Sequence, residues 1–481
     1  MSAHQRQSRF EQSDDLVVMK FGGTSVEDAP AIRRLIGIVE SRMNARPVVV
    51  VSALARVTDQ LVEAGGAAAS GHLGAALATV RNIYVRHEAL ADELVGPGAY
   101  SQLDLEMRAL FQKLEALLLE LNATRQLDPR LQDELLSFGE CISSHLVQAA
   151  LSDAEIKAQH VDARQCIVTD ENHGQASPLW QETNQRTHDA VVPVLEAGMV
   201  PVLGGFIAST GAGIASTLGR GGSDFSAAIL GAALGASRVE IWTDVDGIMT
   251  TDPKLCPDAR VIRKMSFDEA AELAHFGAKV LHPATLVPAM RENIPVYVLN
   301  SRHPEGAGTE IVAHARPAAT VSAITAKRKV AAVELELSQP IDSSLLTAVF
   351  SAFSKHSCPV DLMASSLGRI SLLVSSTGAL PAIAEDLKDI AKLRWENHKA
   401  LICLVGENLR RQPEVASRVF AAVSDIDVRV FCQSASDRTI SFLVDESKVE
   451  ESVRRLHELF FPRAELARDW GGISSAFCHA G

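Results

Sequence analysis

Positive charge, aromatic residues and paired cysteines are all scarce in this 481-residue sequence. Asp and Glu number 59 against 46 Lys and Arg, which gives a formal net charge of −13. Because no basic stripe offsets that charge, we expect neither nucleic acid nor an anionic membrane surface as a partner. The seven cysteines are scattered without a C-x-x-C pair. Neither a disulfide framework nor a zinc site is therefore expected.

Long apolar runs and the common phosphate-binding motifs are also absent. No segment reaches the ~18 uninterrupted apolar residues of a membrane span. Residues 1–15 are polar and lack the apolar core of a signal peptide, so we expect a disordered leader and a cytoplasmic protein. There is no G-x-x-x-x-G-K-[ST] loop, no protein-kinase H-R-D or D-F-G motif and no G-x-S-x-G. Any phosphate chemistry must therefore use another scaffold.

Short apolar runs that alternate with helical stretches are what the sequence does contain. β-Branched and apolar runs occur at 16–21 and 47–52 with a helical stretch between them, and further runs follow at 199–206, 238–242 and 295–299. Buried strands that alternate with helices are typical of a parallel sheet covered on both faces. The first part of the chain is therefore predicted to be an α/β domain.

The sequence changes character after residues 300–320, which are dense in Gly, Pro, Ala and polar residues. We place the main domain boundary there, after a last strand near Thr309–Val312. Beyond it, a pattern of strand, helix, strand, strand and helix occurs twice at a spacing of about seventy residues, which indicates an internal repeat. Modules of this β-α-β-β-α-β kind belong to the ferredoxin-like class.

The first glycine-rich stretch is VVMKFGGTSV, residues 17–26, in which a strand ends at Lys20 and Phe21. Gly22 and Gly23 follow directly, so the turn has no side chain at these two positions. The stretch is compatible with a tight strand-to-helix turn carrying a solvated lysine. It is equally compatible with a cradle for phosphate, and the residues alone leave both interpretations open.

The second glycine-rich stretch is TLGRGGSDFSAA, residues 217–228. Ser223 and Asp224 are good N-cap residues for the helix that follows. A helix N-terminus suits a carboxylate or a phosphate, and Arg220 adds a planar fork that can bind a carboxylate in bidentate fashion. The alternative is that Arg220 is solvated and Asp224 only caps the helix.

Two further stretches carry carboxylates. Asp244 and Asp246 follow a strand within residues 241–254, but their spacing is not that of an EF-hand, so a nucleotide-contacting loop is the better interpretation. Glu140 follows a glycine in SFGE. It is either a first-turn glutamate favoured by the helix dipole or a ligand for a substrate ammonium.

Eight motifs together resemble those of the aspartokinases in order and spacing, over essentially residues 16–462. They are KFGGTSV, VSALARVTD, SFGE, GGFIAS, TLGRGGSD, WTDVDGI, TTDP and FGAKVLHPAT. The resemblance implies an α/β/α sandwich of the amino-acid-kinase fold with a mainly parallel sheet for residues 16–315. It also implies two ferredoxin-like ACT regulatory units at 325–395 and 396–465, followed by a tail at 466–481. The implied reaction is ATP plus L-aspartate giving ADP and 4-phospho-L-aspartate, the first step toward lysine, methionine and threonine.

The resemblance also implies roles for individual residues. Lys20 matches the residue against the transferring phosphoryl group, and Asp224 matches the catalytic aspartate. The positions that match those holding the amino acid are Thr58, Glu140, Phe206, Arg220 and Ser223, with Arg220 suited to its carboxylate and Glu140 to its ammonium. The positions that match those contacting ATP are Lys20, Gly22, Gly23, Thr243, Asp244, Met249, Lys254, Lys279 and Val280. Mg²⁺ is expected to arrive with ATP rather than in a protein site.

Some positions depart from the family pattern. Met249 stands where several relatives have tyrosine, Lys254 where many have arginine, and Arg56 where glycine is common. In the first ACT unit, Leu367 and Gly368 replace the usual Glu-Val, so whether lysine, threonine, another effector or none binds stays open. The positions that match the family's effector pocket are Ser344, Leu345, Asp361 and Ser366.

Two other functions are compatible with the sequence. One is an amino acid sensor built on a kinase fold, which would have no need to keep Lys20, Arg220 and Asp224 together. The other is a kinase for a different amino acid, such as glutamate, which the long helical segment and the ACT pair disfavour. Because ACT units commonly pair across subunits, a homodimer or a larger homo-oligomer is expected.

Overall fold

The computed structural model describes residues 15–278, 283–315, 319–433 and 436–462. They form two compact units. The first contains the described residues up to Ile248, residues 261–271 and residues 283–315, and the second contains residues 249–260, 272–278 and the described residues from 319 onward. The predicted domain limits stay predictions, and the leader up to residue 14 and the tail lie outside the described residues.

An eight-stranded sheet forms the centre of the first unit. Within residues 15–315 the strands are β1 (Val17–Phe21), β2 (Pro47–Val51), β3 (Ala158–His160), β4 (Val168–Thr169), β5 (Val200–Gly204), β6 (Ile207–Thr210), β7 (Ala215–Thr217), β8 (Arg238–Thr243), β9 (Lys264–Ser266), β10 (Val296–Asn300) and β11 (Thr309–Val312). The large sheet has the order β3-β5-β2-β1-β8-β10-β11-β9, and β4, β6 and β7 form a small separate sheet. Neighbouring strands of the large sheet are parallel except β10 and β11. The mainly parallel sheet predicted from the sequence is confirmed.

Helices cover both faces of this sheet. Within residues 15–315 they are α1 (Ala29–Glu40), α2 (Val57–Ala69), α3 (Leu73–Leu94), α4 (Pro97–Thr124), α5 (Pro129–Asp153), α6 (Trp180–Glu196), α7 (Gly222–Leu234), α8 (Phe267–His275) and α9 (Pro283–Arg291). Successive strand side chains point to opposite faces. Val17 and Met19 of β1 accordingly join a core formed with α1 to α5, whereas Val18 faces Gly231 of α7. Both faces of β1 are buried, which explains why its sequence is an unbroken apolar run.

The second unit is built on one antiparallel sheet of six strands. They are β12 (Ala323–Leu337), β13 (Val360–Ser366), β14 (Arg369–Val374), β15 (Ala391–Val405), β16 (Phe431–Gln433) and β17 (Thr439–Asp445), in the order β13-β14-β12-β15-β17-β16. Its described helices are α10 (Ser343–Lys355), α11 (Leu380–Leu387), α12 (Pro413–Ala422) and α13 (Val449–Phe460). Elements of both predicted repeats are present.

Two long strands connect the repeats. Residues 332–337 of β12 pair with residues 391–396 of β15 beside one hydrophobic core, and residues 323–327 pair with residues 401–405 beside a second core. Between these two halves the register shifts, and Lys329 and His398 have positive φ angles of 59° and 58°. The two ferredoxin-like units are therefore interleaved through shared strands. The sequence predicted only the second half of β12, because the bulge interrupts the alternation of its side chains.

Candidate active site

The predicted phosphate cradle lies where the central strand β1 ends. The N–H of Gly22 donates to the carbonyl of Trp242 at the end of β8, 3.1 Å away. The N–H of Ala55 donates to the carbonyl of Gly23 at 3.2 Å, and a Cβ on Gly23 would lie 3.0 Å from the carbonyl oxygen of Ala53. The loop after β2 therefore packs directly on Gly23, which leaves little room for a side chain there.

Helix α7 brings an aspartate to the lysine of β1. Gly221 precedes the helix with φ 73°, a left-handed conformation that glycine adopts without a steric penalty. Asp224 lies in the first turn, and its Oδ1 is 2.6 Å from Nζ of Lys20. The two side chains are only 13% and 11% exposed. This close, largely buried ion pair fixes the lysine ammonium at the end of the central strand.

Glu140 enters the same region from α5. Its side chain is buried, and one oxygen, Oε2, has no hydrogen-bond partner among the described residues. Burial raises its pKa from 4.5 to about 8, although a backbone hydrogen bond from Ala53 and the charge of Lys20 act in the opposite direction. A positive charge placed beside this carboxyl group would favour its ionised form.

Close backbone contacts shape the floor of the site. A Cβ on Gly205 would lie 2.7 Å from Cβ and 2.8 Å from Cα of Ser223, so only glycine fits between β5 and α7 at this point. Phe206 has a positive φ of 66°, and its N–H donates to Oγ of Ser226 at 2.9 Å. A Cβ on Gly222 would lie 2.6 Å from the Phe206 ring. Glycines thus allow α7 to approach the strand-end loop.

These elements enclose a pocket of about 410 Å³ in the first unit. Its lining comprises Lys20, Gly23, Ser52, Ala53, Leu54, Ala55, Arg56, Thr58, Asp59, Glu140, Phe206, Gly219, Gly221, Gly222, Ser223 and Asp224. Seven predicted site residues thus meet in one place although they come from distant parts of the sequence. Those seven are Lys20, Gly23, Thr58, Glu140, Phe206, Ser223 and Asp224.

Other predicted residues lie outside that lining. Arg220 is exposed, and Gly22 lies just outside, where an added Cβ would be 3.7 Å from Nζ of Lys20. Thr243 and Asp244 stand at and after the end of β8, the parallel neighbour of β1, and Thr243 donates a side-chain hydrogen bond to Asp244 at 3.3 Å. They share the carboxyl edge of the sheet with Lys20, where ligands of open α/β sheets bind.

The remaining nucleotide and effector positions are elsewhere. Met249 and Lys254 belong to the segment 249–260, which clusters with the second unit, and Lys279 and Val280 lie outside the described residues. The four effector positions fall at the start of α10 and along β13.

At the start of α10, Oγ of Ser344 donates to Oδ1 of Asp342 at 2.8 Å. The same carboxylate oxygen accepts the N–H of Leu345 at 2.8 Å and so caps the helix. On β13, Asp361 pairs with Lys327 at 2.7 Å and accepts a hydrogen bond from Ser375. Ser366 is exposed.

A buried aspartate of α5 supports the loop that leads to α7, and sequence reasoning missed it. The Asp133 carboxylate is 1% exposed and accepts hydrogen bonds from the Thr217 hydroxyl, from the N–H of Gly174 and from Nδ1 of His173. Thr217 ends β7, two residues before Gly219 of the pocket. Asp133 is seven residues before Glu140, hence on the same helix face. That spacing is the sequence signal that could have revealed it.

A second pocket, of about 430 Å³, lies in the second unit. Its lining residues include Ala332, Glu334, Leu373, Arg394, Trp395 and Arg429. It contains none of the predicted effector residues. In the described ranges, no group of three or more His, Cys, Asp or Glu side chains is placed to hold a metal ion. Nor does any helix of those ranges have the length and apolar character to cross a bilayer.

Family models match two regions of the chain. The amino acid kinase family matches residues 15–300, and an ACT domain matches residues 402–460. The first covers well over half of the sequence and includes every residue that lines the candidate site.

Individual relatives agree with these matches. The chain is 35% identical to lysine-sensitive aspartokinase 3 of Escherichia coli over 93% of this chain and 99% of that protein. It is 32% identical to the chloroplastic aspartokinase 2 of Arabidopsis thaliana over 92% of this chain and 84% of that protein. The crystal structure of E. coli aspartokinase III with aspartate and ADP, in the R-state, matches with a TM-score of 0.80 and 35% identity, covering 92% of this chain and 99% of that one. The T-state structure with lysine and aspartate also has a TM-score of 0.80, at 34% identity and with 93% and 100% covered.

Proposed function

Since this chain belongs to the aspartokinase family, we propose that the pocket of its first unit binds L-aspartate together with Mg-ATP and is the site of phosphoryl transfer between them. The β-carboxylate oxygen of aspartate forms a bond to the γ-phosphorus, the bond from that phosphorus to the β,γ-bridging oxygen breaks, and ADP leaves. The product, 4-phospho-L-aspartate, begins the route to lysine, methionine and threonine. The observation that carries the proposal is the buried pair of Lys20 and Asp224 in the same pocket as Glu140.

Lys20 is proposed to neutralise the charge that moves during transfer. Phosphoryl transfer requires little covalent chemistry from the protein and depends on positioning and electrostatic stabilisation. Lys20 supplies an ammonium at the end of β1, and Asp224 holds it there at 2.6 Å before any ligand arrives. The backbone at Gly22 and Gly23 lets the phosphates approach closely. Mg²⁺ enters as part of the nucleotide substrate, held mainly by phosphate oxygens and water.

The amino acid is proposed to lie between Glu140 and the start of α7. Glu140 accepts the substrate ammonium, which restores the solvation that its buried carboxylate lacks. The Thr58 and Ser223 hydroxyls and the backbone at Phe206 offer further hydrogen bonds. Arg220 is exposed, so in this proposal its side chain turns toward the pocket when the α-carboxylate binds.

The nucleotide is proposed to extend from the pocket toward the end of β8. Thr243 and Asp244 stand at that edge, one strand away from Lys20. The family pattern alone supports four further proposed contacts to ATP, from Met249, Lys254, Lys279 and Val280.

The second unit is proposed to be regulatory, with an amino acid such as lysine or threonine as the effector. Lysine is present in the T-state structure of the E. coli relative. In this chain the Asp361 carboxylate already pairs with Lys327 at 2.7 Å. An effector ammonium would therefore have to compete with Lys327, so we expect weak inhibition by lysine. Subunits are proposed to associate through the ACT units, and a monomeric mass in light scattering would contradict that.

Hydroxylamine trapping of the acyl phosphate tests the proposed reaction. Purified protein is incubated with Mg-ATP and either L-aspartate or L-glutamate, and the hydroxamate is measured, with and without lysine or threonine. Lys20→Ala should abolish an aspartate-dependent signal. Lys355→Ala, the same change at an exposed lysine of the second unit, should leave it unchanged. Product with glutamate alone, or no product from folded protein, would refute the assignment, and the second result would favour the sensor.

A further inference from the structure

Arg56 is the one positively charged residue besides Lys20 among those that line the pocket in the described part of the chain. It precedes α2 and has φ 71° and ψ −4°, in the left-handed region. Arginine gains nothing from that conformation, because its Cβ is crowded there, whereas glycine would adopt it freely. Ten other described non-glycine residues also have a positive φ, so the case for a role of Arg56 depends on its place in the pocket as well as on its backbone.

The backbone around Arg56 is firmly held. The N–H of Ala55 donates to the carbonyl of Gly23, and the Ala55 carbonyl accepts a hydrogen bond from Nη1 of Arg86 at 2.7 Å. The second guanidinium nitrogen of Arg86 donates to the carbonyl of Glu27 at 2.8 Å. Arg56 therefore starts from a rigid point directly beside the glycine that forms the phosphate cradle.

The guanidinium of Arg56 makes no ion pair or hydrogen bond with any described residue, and the residue is exposed. None of the described carboxylates of the lining forms an ion pair with it. Asp224 is paired with Lys20, and Glu140 is buried in surroundings that favour its neutral form. Asp59, the remaining acidic residue of the lining, is exposed. The pocket thus presents an unsatisfied guanidinium, whose planar fork matches carboxylate and phosphate oxygens.

We propose that Arg56 binds an oxyanion of a bound substrate, either a carboxylate of L-aspartate or the terminal phosphate of ATP, and so adds a cation to the site that the family's usual glycine cannot supply. This inference rests on the proposed function. Arg220, exposed and outside the lining, serves the α-carboxylate only after it moves, whereas Arg56 already lines the pocket. Loss of one charge-assisted bidentate contact should lower the affinity for the contacted substrate by about 10- to 100-fold.

Steady-state kinetics of Arg56→Gly and Arg56→Lys test the proposal, with aspartate and ATP varied separately. Arg56→Gly should raise one KM or lower kcat by about tenfold or more. Its melting temperature should not fall, because glycine tolerates the left-handed backbone. Arg56→Lys should recover part of the loss, since it restores charge without the fork. A purely structural residue would instead lose stability and activity together.

The arms of the experiment separate the two sources of the oxyanion. A higher KM for aspartate alone assigns the contact to its carboxylate, and a higher KM for ATP alone assigns it to phosphate. A lower kcat with both KM values unchanged assigns it to the phosphoryl group in transfer. Arg125→Gly is the matched control, because Arg125 also has a positive φ, of 57°, but lies outside the lining. An active wild-type enzyme whose constants are unchanged in Arg56→Gly would overturn the inference, whereas an inactive wild-type enzyme would instead overturn the proposed function.

Discussion

Replacing Glu140 with glutamine should make aspartate binding independent of pH near neutrality. In the proposed mode the Glu140 carboxylate must be ionised to accept the substrate ammonium. Burial raises its pKa to about 8, so at neutral pH most of the free enzyme carries the protonated form. Only the ionised fraction binds, and the apparent affinity is reduced by that fraction.

The magnitude follows from that pKa. The ionised fraction is about one tenth at pH 7 and about one half at pH 8, so KM for aspartate should fall about fivefold between them. In Glu140→Gln the KM should be high and flat across this range, because the amide neither titrates nor pairs with an ammonium. KM for ATP should vary little with pH in either protein.

The same substitution should stabilise the fold at neutral pH. The pKa of Glu140 is raised on folding, so the folded state holds the proton more tightly than the unfolded state, whose pKa is near 4.5. Stability contributed by the protonated form is therefore lost as the pH rises from about 4.5 to about 8. At pH 7 this loss of unfolding free energy amounts to at most about 3 kcal/mol. Glu140→Gln should recover only part of that free energy, because a buried amide still needs hydrogen-bond partners.

The assay is hydroxamate formation at several aspartate concentrations from pH 6.5 to 8.5, with urea unfolding of both proteins at pH 7. Succinate, which resembles aspartate without the ammonium, is the control ligand. It should inhibit better at lower pH, where Glu140 is neutral. A KM for aspartate that is flat in the wild-type enzyme would refute the reasoning. So would a Glu140→Gln variant whose pH profile is identical to that of the wild type.

Two further substitutions test the packing and hydrogen bonds around the site, and a third tests His87, a buried residue of α3. Gly205→Ala puts a methyl group within 2.8 Å of Ser223, so it should lower kcat and reduce the free energy of unfolding by about 1–3 kcal/mol, measured by urea unfolding. Thr217→Val leaves the buried Asp133 with one donor fewer and should cost about 1–3 kcal/mol, with a raised KM for aspartate in the hydroxamate assay. Burial lowers the pKa of His87 from 6.5 to about 4, so the fold should lose about 2 kcal/mol between pH 7 and pH 5, and His87→Phe should reduce that loss in urea unfolding.

Much of the fold could be predicted because its signals are local. The run that becomes β1 is buried on both faces, so it is apolar throughout, and Gly22 and Gly23 mark where it ends. The strand predicted near Thr309–Val312 has those bounds in the structure. The interleaving of the second unit left a weaker signal, because bulges near Lys329 and His398 break the alternation on which strand prediction depends.

The site was predictable only where its residues lie in recognisable motifs. Lys20 and Asp224 stand in two glycine-rich stretches, and the structure places the two residues in contact. Neither stretch alone contains a signal that predicts this contact. Asp133 was missed because an aspartate in a helix is ordinarily exposed. Its burial becomes apparent only when His173 and Thr217, distant in sequence, are seen to surround it.

Three residues of this pocket depart from the usual rules of backbone conformation or polar burial. Arg56 and Phe206 adopt left-handed backbones that suit neither side chain, and Glu140 buries a carboxyl oxygen that has no hydrogen-bond partner among the described residues. A ligand that carries an ammonium and an oxyanion would give a charged partner to the Glu140 carboxyl group and to the Arg56 guanidinium. An amino acid carries both groups in one molecule. The charged groups of the pocket thus fit an amino acid substrate, on grounds that do not depend on sequence similarity.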